Sequence, residues 1–117
     1  MKFLMILNDP PYGTERVYNG LRLATNLVAK NEDAEVSVFL LGDSASAAKS
    51  GQQTPNGYYN VERMLVSAMR KGVTVRVCGT CMDARGLTEA ELVGGAARST
   101  MDELTEMTVS ADKVLVF

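Results

Sequence analysis

Histidine is absent from this chain of 117 residues. That gap excludes any Ser-His-Asp or Cys-His nucleophile within the chain, and any histidine-ligated zinc. Cysteine is scarce, with 2 residues, Cys78 and Cys81. An excess of basic charge is missing as well: 12 Lys and Arg face 14 Asp and Glu, for a net charge of −2. The cations are scattered, whereas nucleic-acid binding needs a basic stripe that neutralises phosphates, so no nucleic-acid partner is expected. Aromatics make up 6% and are not interleaved with Arg as a base-stacking surface requires. Long hydrophobic runs are also lacking. The apolar run Phe3–Leu7 stops at Asn8-Asp9-Pro10, too short for a signal-peptide core or a membrane span. The expectation is a cytoplasmic protein with no membrane partner.

What remains is ordinary for a soluble domain, with 46% apolar and 22% charged residues. The length fits a single domain, residues 1–117, and leaves little room for a second core. A domain of this size buries only about two-thirds of the surface its unfolded chain exposes, which favours self-association.

Four apolar runs read as strands: Phe3–Leu7, Val36–Leu41, Val73–Val77 and Val114–Phe117. The first, second and fourth are nearly continuous, as in parallel strands covered on both faces. The third alternates, which leaves one side less covered. Helical spacing recurs within Thr14–Lys30 and through Val61, Met64, Leu65 and Ala68, with Asn60 as N-cap and Gly72 as stop. Met101, Leu104 and Met107 mark another helix, opened by Thr100 and Glu103 in the form of a capping box. Thr88–Val93 and Ala45–Lys49 read as short helical pieces, and Ala96–Ser99 as a small additional strand. Alternating elements of this kind imply an α/β fold, a mostly parallel sheet of about five strands with helices on both faces.

Ligands of open parallel sheets bind beyond the carboxyl ends of the strands. There the chain places Asn8–Gly13, Gly42-Asp43-Ser44 and Cys78–Arg85. The cysteine pair is the reactive element among them. An ordinary thiol is only a few per cent thiolate at neutral pH; Arg85, loop amides and a nearby helix start would raise that fraction, and Asp83 would oppose it. A C-x-x-C spacing lets one thiol attack a disulfide or persulfide formed on the other. Supporting candidates are Tyr12, Asp9 and Asp43, against the plainer reading of the two Asp as turn residues and Pro10–Gly13 as a rigid loop. The alternatives are inert buried thiols, a zinc site short of ligands, and a thioredoxin-type motif. In the last, the first Cys opens a long helix directly, whereas Met82–Gly86 reads as non-helical chain here.

The segments Asn8–Gly13, Arg22-Leu23-Ala24, Gly51-Gln52 with Gly57-Tyr58, Cys78–Gly86 and Ser110–Leu115 resemble the DsrE/DsrF-like family, closest to its YchN-like branch. The resemblance runs through the whole chain in order. It implies a compact parallel α/β sheet, a homotrimer or homohexamer, and cytoplasmic sulfur handling. Better-understood relatives carry persulfide sulfur on a cysteine at the end of the third strand, which lands on Cys78. By that resemblance Cys78 is the carrier and Cys81 a resolving partner, with separate donor and acceptor proteins and neither cofactor nor metal. A C-x-x-C thiol–disulfide oxidoreductase and a non-catalytic oligomeric binding module are the alternatives.

Overall fold

The computed structural model describes all 117 residues. Strand β1 (Lys2–Leu7) leads to helix α1 (Arg16–Lys30) and strand β2 (Glu35–Leu40). A 3-10 segment, Gly42–Ala48, and an irregular loop precede helix α2 (Val61–Arg70) and strand β3 (Thr74–Cys78). Helix α3 (Gly79–Ala84), a 3-10 turn at Glu89–Glu91, strand β4 (Ala97–Ser99), helix α4 (Met101–Ser110) and strand β5 (Lys113–Val116) complete the chain. The strands form one sheet in the order β4-β3-β2-β1-β5, every neighbouring pair parallel. The α/β reading therefore holds, including the small additional strand, which is β4.

Local chemistry explains the boundaries. The Asn60 side chain accepts the Arg63 N–H at 3.0 Å and caps α2. At the other end Gly72, at φ 102°, makes the left-handed turn into β3 that other residues take only at a cost. Helices α1 and α2 cover one sheet face, where Val17, Leu21, Val61 and Leu65 meet Met5, Leu7, Val38, Leu40, Val75 and Val77.

The opposite face is thinner. Helix α4 alone lies over it, and the buried cluster there is Leu4, Phe39, Cys78 and Leu104. Helices do flank both faces, but unequally. The expectation that the last strand is covered on both sides fails: Val114 is 39% and Val116 is 65% exposed. Register puts those two beside Leu4 and Ile6, at the sheet edge. An apolar run reports burial potential, and an edge position leaves it unmet.

The alternating strand behaves as its pattern implies, with Arg76 half-buried on the thin face. Its Nε donates to Glu103 Oε1 at 3.0 Å, and Ser99 Oγ donates to the same oxygen at 2.6 Å. This corrects the expected capping box. Thr100 Oγ1 does accept the Glu103 N–H at 3.1 Å, but the Glu103 carboxylate does not return the bond. A charge-assisted bond to Arg76 outweighs a neutral backbone cap. Thr88–Val93 forms only the Glu89–Glu91 turn; the Thr88 N–H donates to Glu91 and holds its carboxyl below the usual range.

Candidate functional site

Because β1, β2 and β3 are parallel neighbours, the loops that leave them share one edge of the sheet. Backbone bonds seal the junction: Leu41 N–H donates to Leu7 O, and Ser44 Oγ donates to Asp9 O. The chain leaving β2 thereby passes directly under the cysteines.

Cys78 closes β3 and is the N-cap of α3, its sulfur accepting the Cys81 N–H at 3.3 Å. The Thr80 hydroxyl lies 3.4 Å from the same sulfur. Cys81 Sγ accepts the Gly42 N–H at 3.2 Å. Cys78 is 7% exposed, and Cys81 is half-buried. The two are joined as a disulfide, with Cα atoms 5.2 Å apart, inside the span such bonds require. Each sulfur thus meets a backbone N–H donor, a fixed partial positive charge that lowers the energy of a thiolate once the pair is reduced.

The helix that Cys78 opens corrects one expectation. Met82-Asp83-Ala84 are helical and α3 begins directly at Gly79, so the supposed non-helical spacer does not separate this site from a thioredoxin-type one. Length does: α3 has 6 residues. Pattern reading missed it because a segment of less than two turns shows no apolar period.

The charged candidates brace the site. Arg85 donates from Nη2 and Nε to Asp43 Oδ1 at 2.7 and 3.2 Å, and from Nη1 to the Cys81 carbonyl at 3.0 Å. Its guanidinium ties the β2 loop to the end of α3. Asp83, expected to oppose a thiolate, is held in a two-bond fork by Arg98 at 2.8 and 2.9 Å. Those bonds keep the Asp83 carboxyl below the usual carboxylate range and raise Arg98.

Asp9 lies on the neighbouring loop, accepting from Thr14 Oγ1 at 3.0 Å with Arg16 Nε at 3.7 Å. The Tyr12 hydroxyl bonds to groups other than the sulfurs. It donates to Gln52 Oε1 at 2.6 Å and accepts the Val61 N–H at 3.0 Å, pinning the Pro10–Gly13 loop to α2. Gly42, placed at this edge by the sequence but given no role there, and Thr80 and Arg98, which are not among the sequence candidates, also belong to the site. Thr80 was visible inside the C-x-x-C motif, whereas Arg98 arrives from β4 and carries no local signal. No group of three His, Cys, Asp or Glu side chains gathers as a metal ion would need. No helix is long and apolar enough to cross a membrane.

Gly79 sets the spacing between the thiols and the edge strand. A Cβ there would lie 2.8 Å from Arg98 Nε and 2.9 Å from the Ser99 carbonyl oxygen. The side chain can yield, but the backbone oxygen must shift the strand. Gly79→Ala is expected to cost about 1–3 kcal/mol in chemical denaturation. Gly94→Ala, which meets nothing within 4 Å, is the control and should stay within about 0.5 kcal/mol.

Comparison with known proteins gives a consistent picture. The family model described as DsrE/DsrF-like matches residues 1–117. The chain is 38% identical over 116 residues to protein YchN of Escherichia coli, covering 99% of this chain and 98% of that one. It is 41% identical over 117 residues to an uncharacterized protein of Methanocaldococcus jannaschii, with both chains covered completely at 100%. The crystal structure of the E. coli ychN protein superimposes with a TM-score of 0.93 over 99% of this chain and 98% of that one. A protein of unknown function from Methanobacterium thermoautotrophicum gives a TM-score of 0.79 at 14% identity, covering 99% and 97%, which speaks for the fold alone.

Proposed function

The chain belongs to the DsrE/DsrF-like family, and from that premise we propose that it is a cytoplasmic sulfur-relay protein that carries sulfane sulfur on Cys78. The observation that carries this reading is the pair of sulfurs at the carboxyl edge of a parallel sheet, each accepting a backbone N–H. The Cys78 thiolate attacks the terminal sulfur of a donor persulfide, R–S–SH. The donor leaves as R–S⁻, and Cys78 holds the sulfur as Cys78–S–SH. An acceptor thiolate then attacks that terminal sulfur and restores the Cys78 thiolate. Alternatively, the Cys81 thiolate attacks the inner sulfur, forms the Cys78–Cys81 disulfide and expels hydrosulfide. Neither route needs a cofactor or a metal, and both need the pair reduced at the outset.

The test is mass spectrometry of reduced protein after exposure to a low-molecular-weight persulfide. One added sulfur mapped to the Cys78 peptide supports the reading, and its absence overturns it. The Cys78–Cys81 bond favours a second reading, a dithiol that cycles with a disulfide substrate. A reduction potential matched to cytosolic dithiols, without sulfur uptake, would select that reading.

Self-association is part of the proposal. Met101 and Val109 on α4, with Val116 on β5, are 61%, 83% and 65% exposed. A trimer or hexamer interface would cover exposed apolar side chains of this kind. Light scattering should give a particle several times the mass of one chain; a single-chain mass excludes the oligomer.

A further inference from the structure

The groove between α1 and α2, on the sheet face away from α4, has a composition the linear sequence did not suggest. All 4 tyrosines of the chain gather at its upper end. Tyr18 and Tyr59 have ring centroids 4.4 Å apart, Tyr59 and Tyr58 stack at 4.6 Å, and Tyr12 backs the Tyr59 ring at 5.8 Å. Tyr58 ends this stack and is 52% exposed, leaving ring surface open to solvent. The neighbouring Tyr58 hydroxyl, with some desolvation, pushes the Tyr59 phenol up to about 12.

Along the same groove lie Arg22, Arg63 and Lys71, and no carboxylate lines it. None of the three takes part in an ion pair, although five other cations in the molecule do. Arg22 rests 5.4 Å from the Tyr18 ring, a cation–π contact that holds its charge at the aromatic end. In a chain of net charge −2, this is a local cationic strip. The groove is open to solvent along its length and spans about 930 Å³, room for a ligand of nucleotide size.

We propose that this groove binds a nucleoside polyphosphate. The base stacks on Tyr58, the first phosphate meets Arg22 and Arg63, and further phosphates run toward Lys71. Stacking needs a free aromatic face and phosphate needs cations without competing carboxylates; both stand here side by side. An amphipathic helix from a protein partner is the poorer fit. Such helices seat on apolar grooves; Leu23 and Met64 do line this one, but a helix laid there would also cover Arg22, Arg63 and Lys71, which have no carboxylate in the groove to pair with. A nucleic-acid strand would need a longer basic track than three cations supply. The site is separate from the cysteines and does not rest on the sulfur-carrier reading.

Isothermal titration calorimetry on the intact protein, with ADP, adenosine and inorganic pyrophosphate as separate probes, tests it. ADP should bind about tenfold or more tighter than either fragment, and the affinity should fall with added salt. Tyr58→Ala, at an exposed ring, should weaken ADP about tenfold, in line with the loss of one stacked base. Arg63→Ala should weaken ADP and pyrophosphate together. Because tryptophan is absent, tyrosine emission reports on this cluster alone, and non-absorbing pyrophosphate should perturb it in the wild type. No heat with ADP at millimolar concentration overturns the proposal. So does equal binding of ADP and pyrophosphate, or a glutamate-rich peptide that binds as tightly as ADP. The wild-type comparison decides the matter even where a variant fails to fold.

Discussion

Cys78→Ser protein, reduced and offered a persulfide donor, should take up sulfur only at background level. A serine hydroxyl is not ionised at neutral pH and cannot replace the thiolate as nucleophile. The variant should fold, because the new hydroxyl inherits the Cys81 N–H and the Thr80 hydroxyl as partners. Cys81→Ser should behave in the opposite sense: it loads as the wild type does, and its persulfide persists longer. Without Cys81 no internal thiol can expel hydrosulfide and close the disulfide. Intact-mass spectra over time, with and without an added thiol acceptor, read both outcomes. Full loading of Cys78→Ser would transfer the carrier role to Cys81. Equal loss of activity in both variants, without any persulfide on either, would select the dithiol oxidoreductase reading.

The largest stability effect is expected at Phe39→Ala. Phe39 is 1% exposed and is the bulkiest side chain among the fully buried residues. It stands in the small cluster with Leu4, Cys78 and Leu104, beneath α4 alone. Truncating a buried Phe typically costs about 3–5 kcal/mol through lost transfer energy and the cavity left behind. Small domains hold only about 5–15 kcal/mol in total, so the variant should unfold at much lower denaturant. Val116→Ala, at a side chain already 65% exposed, should change the single-chain stability by less than about 0.5 kcal/mol. A loss below about 1.5 kcal/mol at Phe39 would mean that α4 settles into the space.

The same face links stability to chemistry. Cys78 is at once a member of that cluster and the sulfur-bearing candidate. Loosening α4 should therefore raise thiol exposure as well as lower stability.

Much of the architecture was legible before any coordinates. Strand runs were placed within one or two residues, since β1 begins at Lys2 rather than Phe3 and β3 ends at Cys78 rather than Val77. The Asn60 cap and the Gly72 stop were read from residue type, because their chemistry is local. The edge that gathers the loops also followed, since parallel strands send their carboxyl ends the same way. The cysteine pair stood out by elimination, in a chain without histidine.

Other features needed the tertiary structure. Arg85 was read as a charge beside the thiols, yet Asp43, 42 positions away in sequence, takes its guanidinium. Glu103 fitted a local cap until β3 brought Arg76 alongside. The last strand has the composition of a buried one and lies at an edge. Four tyrosines spread from position 12 to 59 become one stack only when α1 and α2 pack side by side. Local propensity, capping and apolar period act over a few residues, so sequence alone determined the elements, their order and the reactive pair. Which charges meet, which strand is covered and which rings stack are settled by long-range packing, and only the folded chain decided those.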